Sequence, residues 1–241
     1  MRTHRIALTV PLHLPQGLCC ALRTLKRKLV SLTAEKRATV NLLGDRDIEW
    51  SWVASQMPSG PGEALDFGPG GNHLALIAAQ RGFNVTAVDL QPVHWTYVHR
   101  HLCFIRGDIL EVPLPKENFD LVINCSTVEH VGLAGRYGVA ANRLDGDLEA
   151  MNRLRNLMRL HGVMLLTIPV GKDSNFAPLH RVYGAKRLPR LLDGYALERE
   201  QYWVKNNRNQ WVLSDKQDAL AREPQPRLYG LGCFVLRRAR V

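Results

Sequence analysis

The residues best placed to do chemistry in this 241-residue chain are an acid and a cluster of glycines near position 70. The run Asp66-Phe67-Gly68-Pro69-Gly70-Gly71-Asn72 sets a carboxylate two residues before a Gly-x-Gly pair. Glycines there let the backbone bend sharply and let a ligand approach without a Cβ in the way. Asp89 follows nineteen residues past Gly70, spaced to accept hydrogen bonds from both hydroxyls of a ribose. Dinucleotide binders carry a similar turn. Their pattern needs a third glycine where this chain has His73, and an apolar residue where it has Asp66.

A second set of residues suits proton transfer and anion binding. Glu129, His130 and His180 are candidate bases, and an imidazole titrates close to neutrality. Arg136 and Tyr137 sit in the glycine-rich stretch Val131–Gly138, which reads as a lid or as a plain surface loop. Arg181, Tyr183 and Arg187 follow His180, and guanidinium groups clamp anions. Structural roles stand beside these: Asp66 and Asp89 as helix caps, Asp108 as turn chemistry, Glu129 as an arginine's partner.

The elements that must position these groups alternate along the chain. Ala64–Phe67, Val85–Leu90, Cys103–Arg106, Phe119–Cys125 and Val163–Ile168 read as strands. Asn72–Arg81 and Leu148–Leu160 read as helices ending near Gly82 and Gly162. Tyr202–Val204, Trp211–Leu213 and Cys233–Leu236 are further strand-like segments. Such alternation predicts a parallel sheet with right-handed crossovers and helices on both faces. Ligands then sit at the carboxyl ends of the strands. Ahead of this, residues 18–57 read as helical and end at Pro58-Ser59-Gly60-Pro61-Gly62. The expected organisation is therefore a helical cap over 1–60 and a main domain over 61–241. The lid-like insert spans about 131–146, and a substrate-side segment about 170–195.

From Leu65 to about Pro169 the chain resembles class I S-adenosylmethionine (SAM)-dependent methyltransferases. The resemblance rests on the acid–x–Gly–x–Gly turn, the acid ending the second strand, and Arg106-Gly107-Asp108-Ile109 after the third. It also rests on the polar turn before Val128-Glu129-His130 and on the Thr167-Ile168-Pro169 ending of the fifth strand. Asn72 departs from the third glycine that many members carry. The resemblance implies a Rossmann-like, doubly wound α/β fold with a mostly parallel seven-stranded sheet. It implies SAM as cofactor and S-adenosylhomocysteine as product. Asp66, Gly68, Gly70 and Asn72 would meet the methionine part, the acid through ordered water. Asp89 with Leu90 would meet the ribose, and Asp108 with Ile109 the adenine. Asn124, Cys125 and Ser126 would lie beside the sulfonium. The stretch from Val170 to Pro189 is similar to a sparsely characterised branch of the superfamily, some of whose members are linked to surface-glycan pathways.

Composition bounds the rest. Apolar residues make up 46% and charged residues 22%, as in a globular protein, and no apolar run reaches membrane-spanning length. Five cysteines without a CxxC pair argue against a disulfide framework or thiolate zinc site and suit a reducing cytoplasm. No metal site is expected, since His94, His99 and His101 lack nearby acids and Asn124-Cys125-Ser126 supplies no magnesium ligand. The net charge of +10 gathers at the ends. Residues 1–40 hold eight Lys/Arg against one acid, and residues 181–241 hold thirteen against six. The expected function is methylation, by an O-methyltransferase, of a small-molecule or saccharide acceptor. The rivals are an RNA methyltransferase that uses the basic ends and a non-catalytic SAM-fold subunit.

Overall fold

The alternating strands assemble into one eight-stranded sheet, ordered β3-β2-β1-β4-β5-β10-β8-β9. The computed structural model describes residues 45–239, so the expected helical stretch before residue 45 lies outside the described residues. The elements are α1 (Arg46–Gln56), β1 (Gly62–Phe67), α2 (Leu74–Gln80), β2 (Phe83–Asp89), β3 (Leu102–Arg106) and β4 (Phe119–Cys125). A 3-10 turn at Val128–His130 precedes α3 (Gly146–Leu157), β5 (Met158–Val170), β6 (Ser174–Phe176) and β7 (His180–Val182). The chain closes with α4 (Arg187–Leu191), β8 (Tyr195–Lys205), β9 (Trp211–Ser214), α5 (Lys216–Ala221) and β10 (Gly230–Arg238).

β1 to β5 pair in parallel, and β10 inserts antiparallel between β5 and β8. Two points differ from the sequence expectation. The sheet has eight strands, not seven, because β8 turns back into β9 and adds an edge. The helix expected to run to Leu160 stops at Leu157. Met158 is extended and already pairs with Phe119, so sheet pairing takes the last turn.

Strand periodicity sorts the core into two layers, since alternate residues point to opposite faces. Along β4, Phe119 and Val122 face one layer, while Leu121, Ile123 and Cys125 face the other. The first layer takes α3 through Ala150, Met151 and Leu154, and α4 through Leu188 and Leu191. The second takes α1 through Trp52 and Val53, and α2 through Leu74, Ala75 and Ala78. Covering both faces explains why the central strands read as continuous apolar runs. It also leaves their carboxyl ends as the open rim.

Candidate active site

That rim holds a cavity of about 660 Å³. Its walls come from the turns after β1, β2, β3 and β4, from Arg46 and Trp50 of α1, and from the 131–143 loop. Gly68 and Gly70 both take positive φ, 69° and 50°. A Cβ on Gly68 would meet Thr127 Cγ2 at 2.1 Å, whereas one on Gly70 would meet nothing within 4 Å. Gly68 is thus needed to pack the turn under β4, and Gly70 opens it toward the cavity.

Asp89 braces the same turn. One oxygen accepts from the Gly70 amide at 3.2 Å, and the other from the Gln91 amide at 2.9 Å. Leu90 lies beside it on the wall. Asp108 accepts from the Leu110 amide at 2.9 Å with Oδ1, and Ile109, buried, forms an apolar wall next to it. Asn72 also lines the cavity and holds the start of α2, its Oδ1 accepting from the Leu74 amide at 2.8 Å.

Asp66 lies beneath the turn, outside the cavity wall. It is fully buried, and among the described residues no hydrogen bond of normal geometry reaches either carboxylate oxygen, the Ala75 amide offsetting burial only in small part. Burial, and then the Asp89 charge, push it up to about 8. A buried carboxylate without partners is rare, and an ammonium above it, reached through water, would relieve the cost. The open glycine face, the Asp89 and Asp108 carboxylates and this orphaned acid all fit SAM.

After β4, Ser126 takes a positive φ of 47°, uncommon for a residue with a side chain. Its amide donates to the Thr167 carbonyl and hydroxyl at 3.0 and 3.1 Å, and its hydroxyl donates to buried Glu49. This bend carries Thr127 over the glycine turn, where its hydroxyl donates to the Gly68 carbonyl at 3.2 Å. Cys125 and Ser126 reach the cavity wall. Asn124 turns inward instead, with Oδ1 accepting from the Val128 amide at 3.3 Å, so the structure does not bring it to the cavity.

Of the candidate bases, His130 alone lines the cavity. Its Nδ1 lies 2.6 Å from the Leu179 carbonyl, which can only accept, so Nδ1 carries the proton and Nε2 keeps its lone pair. Burial, then the Arg136 guanidinium, push His130 down to about 3, and it stays neutral. Glu129 is buried behind it, Oε1 standing 3.7 Å from His130 Nε2, and burial pushes its carboxyl well up. His180 is buried off the cavity wall, its ring 6.4 Å from that of His130 and 5.0 Å from that of Tyr229.

Tyr137 reaches the wall, its ring 5.4 Å from that of His130. Arg136 does not: it lies over the Tyr137 ring and donates to the Leu179 carbonyl at 3.0 Å. Arg181 and Tyr183 are corrected more strongly, since both point into the protein. Arg181 is 3% exposed and donates to the carbonyls of Val131 at 2.6 Å and Arg143 at 3.0 Å, which roots the 131–143 loop. Tyr183, with no exposure, donates to Asp147 at 3.0 Å. Arg187 also bonds Asp147, through Nε at 2.8 Å. This buried acid was not legible in the sequence, where it looks like an ordinary first-turn helix residue. Neither Arg181 nor Tyr183 is free to hold a substrate.

Among the described residues no group of three or more His, Cys, Asp or Glu could hold a metal ion, and no helix is long and apolar enough to cross a membrane.

The parallel core, the glycine turn and the carboxylates at the ends of β2 and β3 define a Rossmann-like domain with a cavity at its strand ends. The methyltransferase-domain family model matches residues 65–144. A second model, "Caenorhabditis protein of unknown function, DUF268", matches residues 113–225. No curated protein matches the chain. Among solved structures, 1,6-didemethyltoxoflavin-N1-methyltransferase of Burkholderia thailandensis, with S-adenosylhomocysteine bound, shares the fold at TM-score 0.56 and 16% identity. That match covers 97% of this chain and 94% of the other. The N-methyltransferase NodS of Bradyrhizobium japonicum, also with S-adenosylhomocysteine, aligns at 0.54 and 13%, covering 85% and 91%. The [4+2]-cyclase SpnF aligns at 0.58 and 14%, covering 81% of each chain. Residues 65–144 thus match a methyltransferase domain, and the chain shares the fold of SAM-dependent methyltransferases.

Proposed function

We propose that this methyltransferase acts on a hydroxyl oxygen of a small-molecule or saccharide acceptor, with His130 receiving the proton. One observation carries this reading: His130 lines the cavity with Nδ1 tied to the Leu179 carbonyl and Nε2 left as an acceptor.

Bound SAM supplies a methyl group already activated for in-line displacement, so the chain's work is alignment, exclusion of water and handling of one proton. Asp89 and Asp108 hold the nucleoside end, and Ser126 and Thr127 shape the floor beside the glycine turn. Tyr137 and the segment over about 131–146 act as the lid. Gln91 supports it, its side-chain amide donating to the Tyr137 carbonyl at 2.9 Å. His130 is too weak a base to ionise a free hydroxyl at neutral pH. On taking the acceptor's proton it would gain a positive charge to balance the one a sulfonium donor would give up, so the buried site would keep its net charge.

A nitrogen acceptor is the second reading, favoured by the two similar structures named as N-methyltransferases. Isotope-labelled SAM offered with hydroxylated and amine acceptors separates the two. A methyl group found on oxygen supports the proposal. Methylation of amines alone, with hydroxyl acceptors inert, refutes the oxygen assignment.

A further inference from the structure

One carbonyl serves two donors beside the cavity. His130 Nδ1 stands 2.6 Å from the Leu179 oxygen, and Arg136 Nη1 donates to the same oxygen at 3.0 Å. A carbonyl oxygen has two lone pairs, so these donors use both. The guanidinium carbon of Arg136 lies 4.6 Å from the centre of the Tyr137 ring, and the His130 ring lies 5.4 Å from that ring. Arg136, Tyr137 and His130 therefore form one contiguous group with Leu179 behind it.

The groups that face His130 are Glu129 from its own turn, Arg136 and Tyr137 from the 131–143 loop, His180 from β7, and Arg46 from α1. Burial favours the neutral form of Glu129, Tyr137 and His180. The two arginines differ. Arg46 is held by Glu49, lies beside Asp45, and is the smaller influence on His130. Arg143, also on the cavity wall, stands 3.7 Å from Glu149 and is not among the groups acting on His130. Arg136 is the larger influence, is partly exposed, and has no ion-pair partner among the described residues.

A base works best when its pKa lies near the working pH, whereas His130 is held at about 3, by burial and then by Arg136. Burial does not lift when an acceptor fills the cavity. The Arg136 charge is cancelled once an anion pairs with it.

We propose that Arg136 is a positioning residue: it shares the Leu179 carbonyl with His130 in the free protein, and an anionic group on the acceptor draws it off to free the base. The substrate class that follows is a hydroxyl close to a phosphate or carboxylate. This deepens the hydroxyl-methylation reading and rests on it. Pairing with the anion removes the Arg136 charge from His130. The vacated lone pair also leaves Leu179 to Nδ1–H alone, a bond that favours the imidazolium. Both changes raise the proton affinity of Nε2 as the acceptor's hydroxyl arrives.

An NMR titration of ring-labelled histidine tests this without cofactor or acceptor, the His130 signal being assigned by its loss in His130→Gln. In wild type His130 should still be neutral at about pH 5. Arg136→Met should raise its proton affinity about tenfold or more. Inorganic phosphate or acetate added to wild type should raise it likewise, and should do nothing in Arg136→Met. The anion that acts at the lower concentration names the group on the acceptor. A charged His130 at that pH in wild type, or equal proton affinity in wild type and variant, overturns the proposal. So does an anion effect that survives Arg136→Met, or no effect from either anion. Should Arg136→Met not fold, Arg136→Gln, which also removes the charge, is read in the same titrations. No methyl transfer enters these readings, so they fail separately from the hydroxyl-methylation reading, which fails instead if His130→Gln leaves kcat unchanged.

Discussion

Replacing Asp66 with Asn should flatten one component of the pH dependence of stability and abolish a proton released on cofactor binding. The folded carboxyl is held at about 8 against an ordinary value of 3.8, chiefly by burial and then by Asp89. The folded state therefore keeps a proton that the unfolded chain loses, so stability is fully present below the ordinary value. It declines as pH rises and levels off above the folded value. Each pH unit in that interval is worth about 1.4 kcal/mol, which sets a ceiling on the order of 5 kcal/mol. The groups acting on or coupled to Asp66 are Asp89, Tyr97, buried Cys125 and the Ala75 amide, the last favouring the charged form. Tyr97 is itself pushed up to about 12 by burial and then by Asp66. Asn cannot ionise, so its denaturant midpoint, at constant m, should gain on wild type steadily from pH 5 to pH 8. In the proposed binding mode a cofactor ammonium near Asp66 would favour its charged form. Wild-type affinity for S-adenosylhomocysteine should therefore rise with pH by up to about tenfold per unit. Calorimetry in two buffers of different ionisation enthalpy should show up to one proton released. Parallel stability curves for the two proteins, or equal proton counts, would refute the reasoning.

Gly68→Ala must displace Thr127 and take a strained φ, so S-adenosylhomocysteine binding should fall at least tenfold. Gly71→Ala meets nothing within 4 Å and should bind as wild type in the same titration. Asp89→Ala should weaken that binding by about 1–3 kcal/mol, and unchanged affinity would contradict the ribose assignment. His130→Gln should lower kcat by about 10²- to 10⁴-fold while leaving S-adenosylhomocysteine affinity intact, and an unchanged kcat would remove His130 from the proton path. Asp147→Ala strips the acceptor from Tyr183, leaves Arg187 with only Asp145 and the Leu144 carbonyl, and removes the carboxylate beside Arg181. It should cost about 3–5 kcal/mol in denaturant unfolding. A loss below about 1 kcal/mol would mean the network is not what holds this region.

The part of the cavity wall built from strand-end turns was legible because it is local. Gly68 and Gly70 follow a strand directly, and Asp89 and Asp108 each end or follow one, so a strand–turn reading places all four at the same rim. The acceptor half was not legible, because a residue's direction there depends on contacts far along the chain. His180, Arg181 and Tyr183 looked alike as polar residues after the fifth strand. The β6–β7 hairpin instead buries all three, and Arg181 spends its donors on carbonyls 38 and 50 residues away. Arg46 carried no signal beyond its i,i+3 pairing with Glu49. Only the packing of α1 against β4 and β5 buried Glu49 and set Arg46 on the cavity wall.

By itself, then, the order of apolar runs, glycines and acids determined a doubly wound sheet and which of its turns line the cavity at the strand ends. Hydrophobic periodicity and backbone sterics act over a few residues and can be read from them. The tertiary structure alone decided which polar side chains face the cavity and which are consumed inside the protein. That choice turns on desolvation and on partners distant in sequence. A buried guanidinium or carboxylate must find its hydrogen bonds wherever the fold supplies them. The same physics left the Asp66 oxygens without a full hydrogen bond among the described residues, and kept His130 neutral on the cavity wall.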